Sequence, residues 1–340
     1  MATLAVLGAG AWGTAIAAVL APRHRVSLWA RDPEQARAIA GARRNARYLP
    51  EISIPEALAV SSDFDAATRG TELLLAATPV AGLRELCGRI AAAGARAAAN
   101  ASPPAAGVPL VWLCKGFEEQ SGLLPHQIVE AELGASYPCG ALSGPSFALE
   151  VAKGLPCALT LASRDAERAR TLAALLHGGR LRIYHSADLL GVEIGGAVKN
   201  VMAIAVGISD GLGLGQNARA ALITRGLAEI ARLGLALGCS AETLMGLSGA
   251  GDLILTATGD LSRNRRVGLE LARGRALAAI VADLGHVAEG VRSAREVAKL
   301  AARQGVEMPV SDAVHAVLDG RLTPPQAVEQ LLARESKGEA

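Results

Sequence analysis

The stretch TLAVLGAGAWG, residues 3–13, decides the fold. Thr3–Leu7 is a short apolar run and reads as a strand. Gly8-Ala9-Gly10-Ala11-Trp12-Gly13 follows as G-x-G-x-x-G, and Thr14–Leu20 then reads as a helix. Strand, glycine loop and helix in that order form the fingerprint of a dinucleotide site. The first glycine permits a tight turn, and the second lets the backbone approach a pyrophosphate. The third lets helix and strand pack closely, while the first N–H groups of the helix attract the anion. A glycine loop in an Ala/Gly-rich chain can show the same letters. The strand before it and the helix after it are what separate the two readings.

The next strand, Arg25–Trp29, runs into Ala30-Arg31-Asp32. About 20 residues past the glycines, a carboxylate would bind the ribose 2′-OH of NAD, whereas an arginine there accommodates the 2′-phosphate of NADP. Arg31 favours NADP(H), with NAD(H) tolerated. Asp32 can serve NAD instead, or cap the helix that begins at Pro33. Arg31 as a solvated surface charge stays open.

Working outward, further strands are expected at Glu72–Ala76, Pro109–Leu113, Gly140–Leu142 and Cys157–Leu161, alternating with helical patterns. That alternation predicts an α/β domain with a doubly wound, Rossmann-type parallel sheet. The Ala-rich segment 91–107 reads as a flexible excursion. After about Ser186 the strand signals stop. Val192–Ile208, Arg219–Leu237, Arg266–Ala272, Val291–Gln304 and Ser311–Leu318 read as helices. The expectation is a dinucleotide-binding domain over 1–188 and an all-helical substrate-binding domain over 189–340. A ligand is expected where the two meet.

With 340 residues, 51% of them hydrophobic and 19% charged, the chain can bury the cores of two domains. A net charge of +2 is too balanced for a nucleic-acid binder, which concentrates basic charge. The five cysteines form no C-x-x-C pair, which argues against a disulfide framework or a zinc site. The six histidines show no ligand spacing, and no metal is expected. The opening MATLAVLGAG lacks the basic start of a signal peptide, and no segment reads as a membrane span. A soluble cytoplasmic protein is expected, with a homodimer as the default assembly.

Lysine is rare: of 34 basic residues only Lys115, Lys153, Lys199, Lys299 and Lys337 are lysines. Unlike arginine, lysine can exchange a proton near neutral pH once its surroundings lower its pKa. Lys199 lies in an apolar helical segment, with Gly195, Gly196 and Ala203 one turn away on its face. Such small neighbours would leave room for a ligand at the amine, and cations such as Arg263 or Lys115 would lower its pKa further. A lysine snorkelling at a helix edge is the alternative. Lys115 follows Pro109–Leu113, at the carboxyl end of a parallel strand, where open α/β sheets bind ligands. It can equally be a loop charge.

Six blocks now carry a resemblance: GAGAWGTA (8–15), NARYLP (45–50), WLCKGF (112–117), LSGPSFALEVA (142–152), the stretch 191–226 around GGAVKN, and LSGAGDLILTATGDLSRNRRVG (247–268). Over essentially its whole length the chain resembles the NAD(P)-dependent glycerol-3-phosphate dehydrogenases of the bacterial biosynthetic type. The resemblance implies interconversion of dihydroxyacetone phosphate and sn-glycerol 3-phosphate for phospholipid synthesis. It implies Lys199 as the general acid/base and substrate contacts from Lys115, Gly144, Ser146, Lys199, Asp252, Ser262, Arg263 and Asn264. It also implies that Gly8, Gly10, Ala11, Trp12, Gly13, Arg31, Lys115, Ala148, Arg263, Val287 and Glu289 line the nucleotide. The sequence departs at Ala218, where the family usually has Thr.

The chemistry fits the residues. A protonated Lys199 can stabilise and then protonate a ketone oxygen. Asp252 can hold the ammonium, while Asn200, about 100° further round the helix, can help only from the side. Ser262-Arg263-Asn264-Arg265-Arg266 precedes an apolar helix. A helix start with a guanidinium fork suits a phosphate dianion. Arg263 is the best-placed fork; Arg265 and Arg266 read as surface charges. Ser146 reads as an N-cap, a substrate contact, or both. Two rivals remain open: another two-domain β-hydroxyacid dehydrogenase, and a catalytically silent NADP-binding sensor.

Overall fold

The computed structural model describes residues 1–99, 107–284 and 288–334. The chain divides into two compact units, Met1–Leu189 and Leu190–Ala340.

Among the described residues the first unit contains ten strands: β1 (Thr3–Leu7), β2 (Arg25–Trp29), β3 (Arg44–Asn45), β4 (Leu49–Ser53), β5 (Ala59–Ser61), β6 (Leu73–Ala76), β7 (Leu110–Trp112), β8 (Cys139–Ser143), β9 (Cys157–Ala162) and β10 (Leu181–Ser186). Eight of them form one sheet in the order β10-β9-β8-β7-β6-β1-β2-β5. All its neighbours pair in parallel except β8 and β9. From β1 the chain winds outward through β2 to β5. It then returns to the other side of β1 at β6 and winds the opposite way. The reversal point lies between β1 and β6, where a doubly wound sheet holds its ligand. β1 and β6 are almost wholly apolar and buried, as central parallel strands covered on both faces require. Leu4, Val6, Leu28, Leu73, Leu75, Val111 and Leu159 lead one core on the sheet, with Ile16 and Leu20 of the helix Ala11–Leu20.

The hairpin β3–β4 and the strands β5 and β10 are additional to the sequence expectation. The segment 91–107 is also corrected over the part described. Residues 91–99 continue the helix Leu83–Ala99, and 100–106 lie outside the described residues. Alanine has the highest helix propensity, so an Ala-rich run extends a helix that is already nucleated.

In the second unit every described element is helical. Leu189–Gly211 is its longest helix. By length and composition it is apolar enough to cross a membrane, yet its most apolar window is 94% buried within the protein. Two glycines bring the helix Arg263–Ala272 hard against it. A Cβ on Gly207 would lie 2.0 Å from the Arg265 carbonyl oxygen, and one on Gly268 would lie 2.1 Å from that of Ile204. Backbone touches backbone there, which fixes the crossing.

Candidate active site

Four strands of the first unit end on the same edge of the sheet. The register Leu7↔Ala76, Ala76↔Trp112 and Trp112↔Ala141 places the loops after β1, β6, β7 and β8 side by side. These loops carry Gly8, Ala77, Lys115 and Gly144. Gly8 has φ of +126°, which only glycine adopts easily, and a Cβ there would strike the Ala77 carbonyl oxygen at 2.8 Å. A Cβ on Gly13 would lie 1.9 Å from the Gly8 carbonyl oxygen, so the helix can leave the strand only from a glycine. A Cβ on Gly10 would meet nothing within 4 Å. Gly10 is also the N-cap of the helix Ala11–Leu20, with no side-chain cap. The loop therefore keeps one open backbone position at a helix start, where a pyrophosphate would be accommodated.

Trp12 Nε1 donates to the Ser146 carbonyl oxygen at 3.2 Å, and Lys115 Nζ donates to that of Gly144 at 3.1 Å. Ala11 and Ala148 pack on one apolar cluster formed by Ala15, Leu49, Ile52 and Val151. The expected residues Gly8, Ala11, Trp12, Lys115, Gly144, Ser146 and Ala148 thus share one neighbourhood. Ser146 is not an N-cap. The short helix Ala148–Ala152 starts after Phe147 without a side-chain cap, and Ser146 Oγ donates instead to Gly144 O at 3.1 Å. Arg84 grips Glu118, three residues beyond Lys115, through two hydrogen bonds of 2.9 and 2.7 Å. The bonds from Arg84 hold the Glu118 carboxyl below the usual carboxylate range.

Arg31 follows β2, with its side chain 72% exposed, and pairs with Glu85 at 3.2 Å. Arg89 shares the same carboxylate at 3.0 Å, which brings a second guanidinium to this corner that the sequence did not flag. Asp32 caps the helix Pro33–Ala42 by accepting from Glu34 N at 2.9 Å.

In the second unit Lys199 Nζ donates to Asp252 Oδ1 at 2.5 Å and to Thr256 Oγ1 at 2.9 Å. Thr256 Oγ1 in turn donates to the Asp252 carbonyl oxygen at 2.6 Å. The Lys199 and Asp252 side chains are only 8% and 2% exposed. A charge this deeply buried needs a partner, and the carboxylate is that partner. Lys199 is therefore not a snorkelling lysine. Gly195, one of the small residues on its face, has a different use from the one expected. A Cβ on Gly195 would lie 2.7 Å from the Ser248 carbonyl oxygen, so the space there is taken by the π-helical turn Leu247–Gly251 rather than left for a ligand. That turn leads directly into Asp252 and delivers it to Lys199. Thr256 was missed, although its i, i+4 spacing from Asp252 on the helix Asp252–Thr258 was a usable signal.

Asn200 Nδ2 donates to Gly196 O at 3.3 Å, and its Oδ1 accepts from Asn264 Nδ2 at 2.8 Å. Asn264 Oδ1 accepts from Gly290 N at 3.0 Å, which ties the Glu289 segment to the same chain of bonds. Ser262 caps the helix Arg263–Ala272, accepting from Arg265 N at 3.2 Å, and Arg263 is exposed on its first turn. Arg265 is no surface charge. Its side chain is largely buried and pairs with Asp210 at 2.8 Å, and Arg219 takes the other oxygen of Asp210, also at 2.8 Å. Val287 lies outside the described residues.

The profile described as "NAD-dependent glycerol-3-phosphate dehydrogenase N-terminus" matches residues 3–169, and the corresponding C-terminus profile matches residues 188–329. The chain is 58% identical over 336 residues to glycerol-3-phosphate dehydrogenase [NAD(P)+] of Dechloromonas aromatica, covering 99% of both chains. The Aromatoleum aromaticum protein of the same name is also 58% identical, over 337 residues and 99% of both. A solved glycerol-3-phosphate dehydrogenase from Coxiella burnetii superposes with a TM-score of 0.88 at 41% identity. The match covers 98% of this chain and 99% of that one.

Proposed function

We propose that this chain, which belongs to the NAD-dependent glycerol-3-phosphate dehydrogenase family, reduces dihydroxyacetone phosphate to sn-glycerol 3-phosphate reversibly, with NADP(H) or NAD(H). The single observation that carries the reading is the buried contact of Lys199 with Asp252 and Thr256. A lysine anchored by a carboxylate and a hydroxyl is a positioned proton donor for a ketone oxygen.

Residues 1–188 hold the dinucleotide and residues 189–340 the substrate. The nicotinamide cofactor supplies hydride when bound. The loop 8–13 fits its pyrophosphate, because Gly10 leaves the space and Gly8 and Gly13 permit the turn. Ala11, Trp12, Ala148 and Glu289 would line the nucleotide, and Arg31 would serve the ribose 2′ position. Lys199 polarises the carbonyl oxygen of the substrate and transfers a proton to it. Asp252 holds the amine in place. Asn200 and Asn264 brace this helix face, and Asn264, Ser262 and Arg263 contact the phosphate. Lys115, Gly144 and Ser146 would add further contacts to the substrate. The product is the backbone of glycerophospholipids. The reading extends to a cytoplasmic enzyme acting as a homodimer, the commonest closed assembly.

The test is steady-state oxidation of NADPH and NADH with dihydroxyacetone phosphate, set against a panel of 3-keto acids. Turnover with dihydroxyacetone phosphate is expected with either nicotinamide. Turnover with the acids alone would identify a different hydroxyacid dehydrogenase. Cofactor binding without any turnover would identify a sensor.

A further inference from the structure

The NARYLP block, residues 45–50, has no part in the reaction as described. The structure gives it one. Residues 44–53 form the hairpin β3–β4, and Leu49 and Ile52 anchor it to Ala15 of the helix that follows the glycine loop. So anchored, it sends Asn45, which is 1% exposed, beneath the loop. Asn45 Nδ2 donates to Ala9 O at 3.0 Å and to Thr14 Oγ1 at 2.8 Å. Gln35 Nε2, from the helix Pro33–Ala42, donates to the same Ala9 oxygen at 2.9 Å. A carbonyl oxygen only accepts, so both amides present nitrogen to it.

Ala9 is the middle residue of Gly8-Ala9-Gly10, and its carbonyl belongs to the same peptide unit as the N–H of Gly10. That unit is planar and trans, so fixing the oxygen fixes the N–H in the opposite direction. Gly10 is the helix N-cap that lacks a side-chain partner and has open space beside it. Two donors on the oxygen also polarise the peptide and strengthen its N–H as a donor. We infer that Asn45 and Gln35 are positioning residues for the dinucleotide, which aim the Gly10 N–H at its pyrophosphate by clamping the carbonyl of Ala9. The inference deepens the proposed function and rests on its cofactor assignment.

Removing a clamp should weaken every ligand that has the pyrophosphate and spare any that lacks it. The experiment is calorimetric titration of wild type, Asn45→Leu and Gln35→Met with NADPH, NADH, ADP-ribose and 2′-AMP. Only the last has no pyrophosphate. Asn45→Leu is expected to weaken the first three by a common factor of about tenfold, the scale of one well-made hydrogen bond. Binding of 2′-AMP should stay within about twofold, the scatter expected when no contact is lost. Gln35 sits on a half-buried helix face, so Gln35→Met should fold even if Asn45→Leu does not. It should give the same pattern at about threefold. A parallel loss for all four ligands would overturn the inference, because a merely structural role produces it. Unchanged binding throughout would do the same. A wild-type protein that binds none of the four would sink the proposed function, and this inference with it.

Discussion

Lys199 and Asp252 meet at 2.5 Å although 53 residues separate them in the chain, and both side chains are almost sealed from solvent. The contact exists because Gly195, one turn before Lys199, lets the Ser248–Gly249 backbone lie against its helix.

Lys199→Ala should cut turnover by at least about 100-fold, the lower end of what a general acid contributes. NADPH affinity should stay nearly intact. Calorimetry and initial rates check both, and unchanged turnover would refute the assigned role.

Asp252→Ala should cost about 3 kcal/mol of stability, because it leaves the buried Lys199 amine without its carboxylate. The double variant Lys199→Met/Asp252→Leu should recover most of that loss in urea denaturation, though not activity. If the double variant were as unstable as the single one, the penalty would lie in packing rather than in an unpaired charge.

Gly10→Ala and Gly13→Ala should fail in different ways. Gly13→Ala drives a methyl group to within 1.9 Å of the Gly8 oxygen, so the protein should lose stability or not accumulate. Gly10→Ala meets nothing within 4 Å and keeps an extended backbone, so its urea midpoint should match wild type. NADPH binding by Gly10→Ala should nevertheless drop at least about tenfold, because the methyl group blocks the anion's approach. Normal binding by Gly10→Ala would move the pyrophosphate away from this loop.

Arg31→Ala should weaken NADPH more than NADH, since only NADPH carries the 2′-phosphate. The exposed pair with Glu85 contributes little to folding, so the melting temperature should not move. Equal weakening of both cofactors would place Arg31 outside the pocket. Arg89→Ala tests whether the second guanidinium on Glu85 shares the role.

Glu229 gives a pH signature. Burial pushes its carboxyl up, although it accepts from Val310 N at 2.6 Å and from the N and Oγ of Ser311 at 3.1 Å each. The folded state therefore keeps this proton at a pH where the unfolded chain, with a pKa of about 4.3, has released it. Stability drawn from the protonated form is full below that value and is lost as pH rises through the raised folded pKa. Burial raises Asp312 in the same direction, so the comparison must be made against Glu229→Gln. Relative to that variant, the wild-type urea midpoint should fall from pH 4 upward. Parallel curves would remove Glu229 from the balance.

Much of the first unit was legible because central strands and their helices carry local, periodic signals. β1 and β2 were read from five residues each and the glycine loop from six. β5 was not legible, because three residues hold too little alternation to register. The run 91–99 misled in the other direction: alanine monotony reads as a linker, yet alanine is the best helix former. At the site, Lys199 and Asp252 stood out by residue type and resemblance. The hold of Asn45 and Gln35 on Ala9 was not legible, since a contact across 36 or 26 residues leaves no periodicity behind.

The crossing of Gly207 and Gly268 acts as a ruler of fixed length. Where the two glycines meet the facing helix no side chain stands between the backbones, so main-chain thickness sets the spacing there, one helical turn or two from Asn200 and Asn264. Core substitutions elsewhere in the unit can be absorbed without stretching that spacing. A single methyl group at either glycine would pry the two asparagines apart while leaving every polar residue of the site in place.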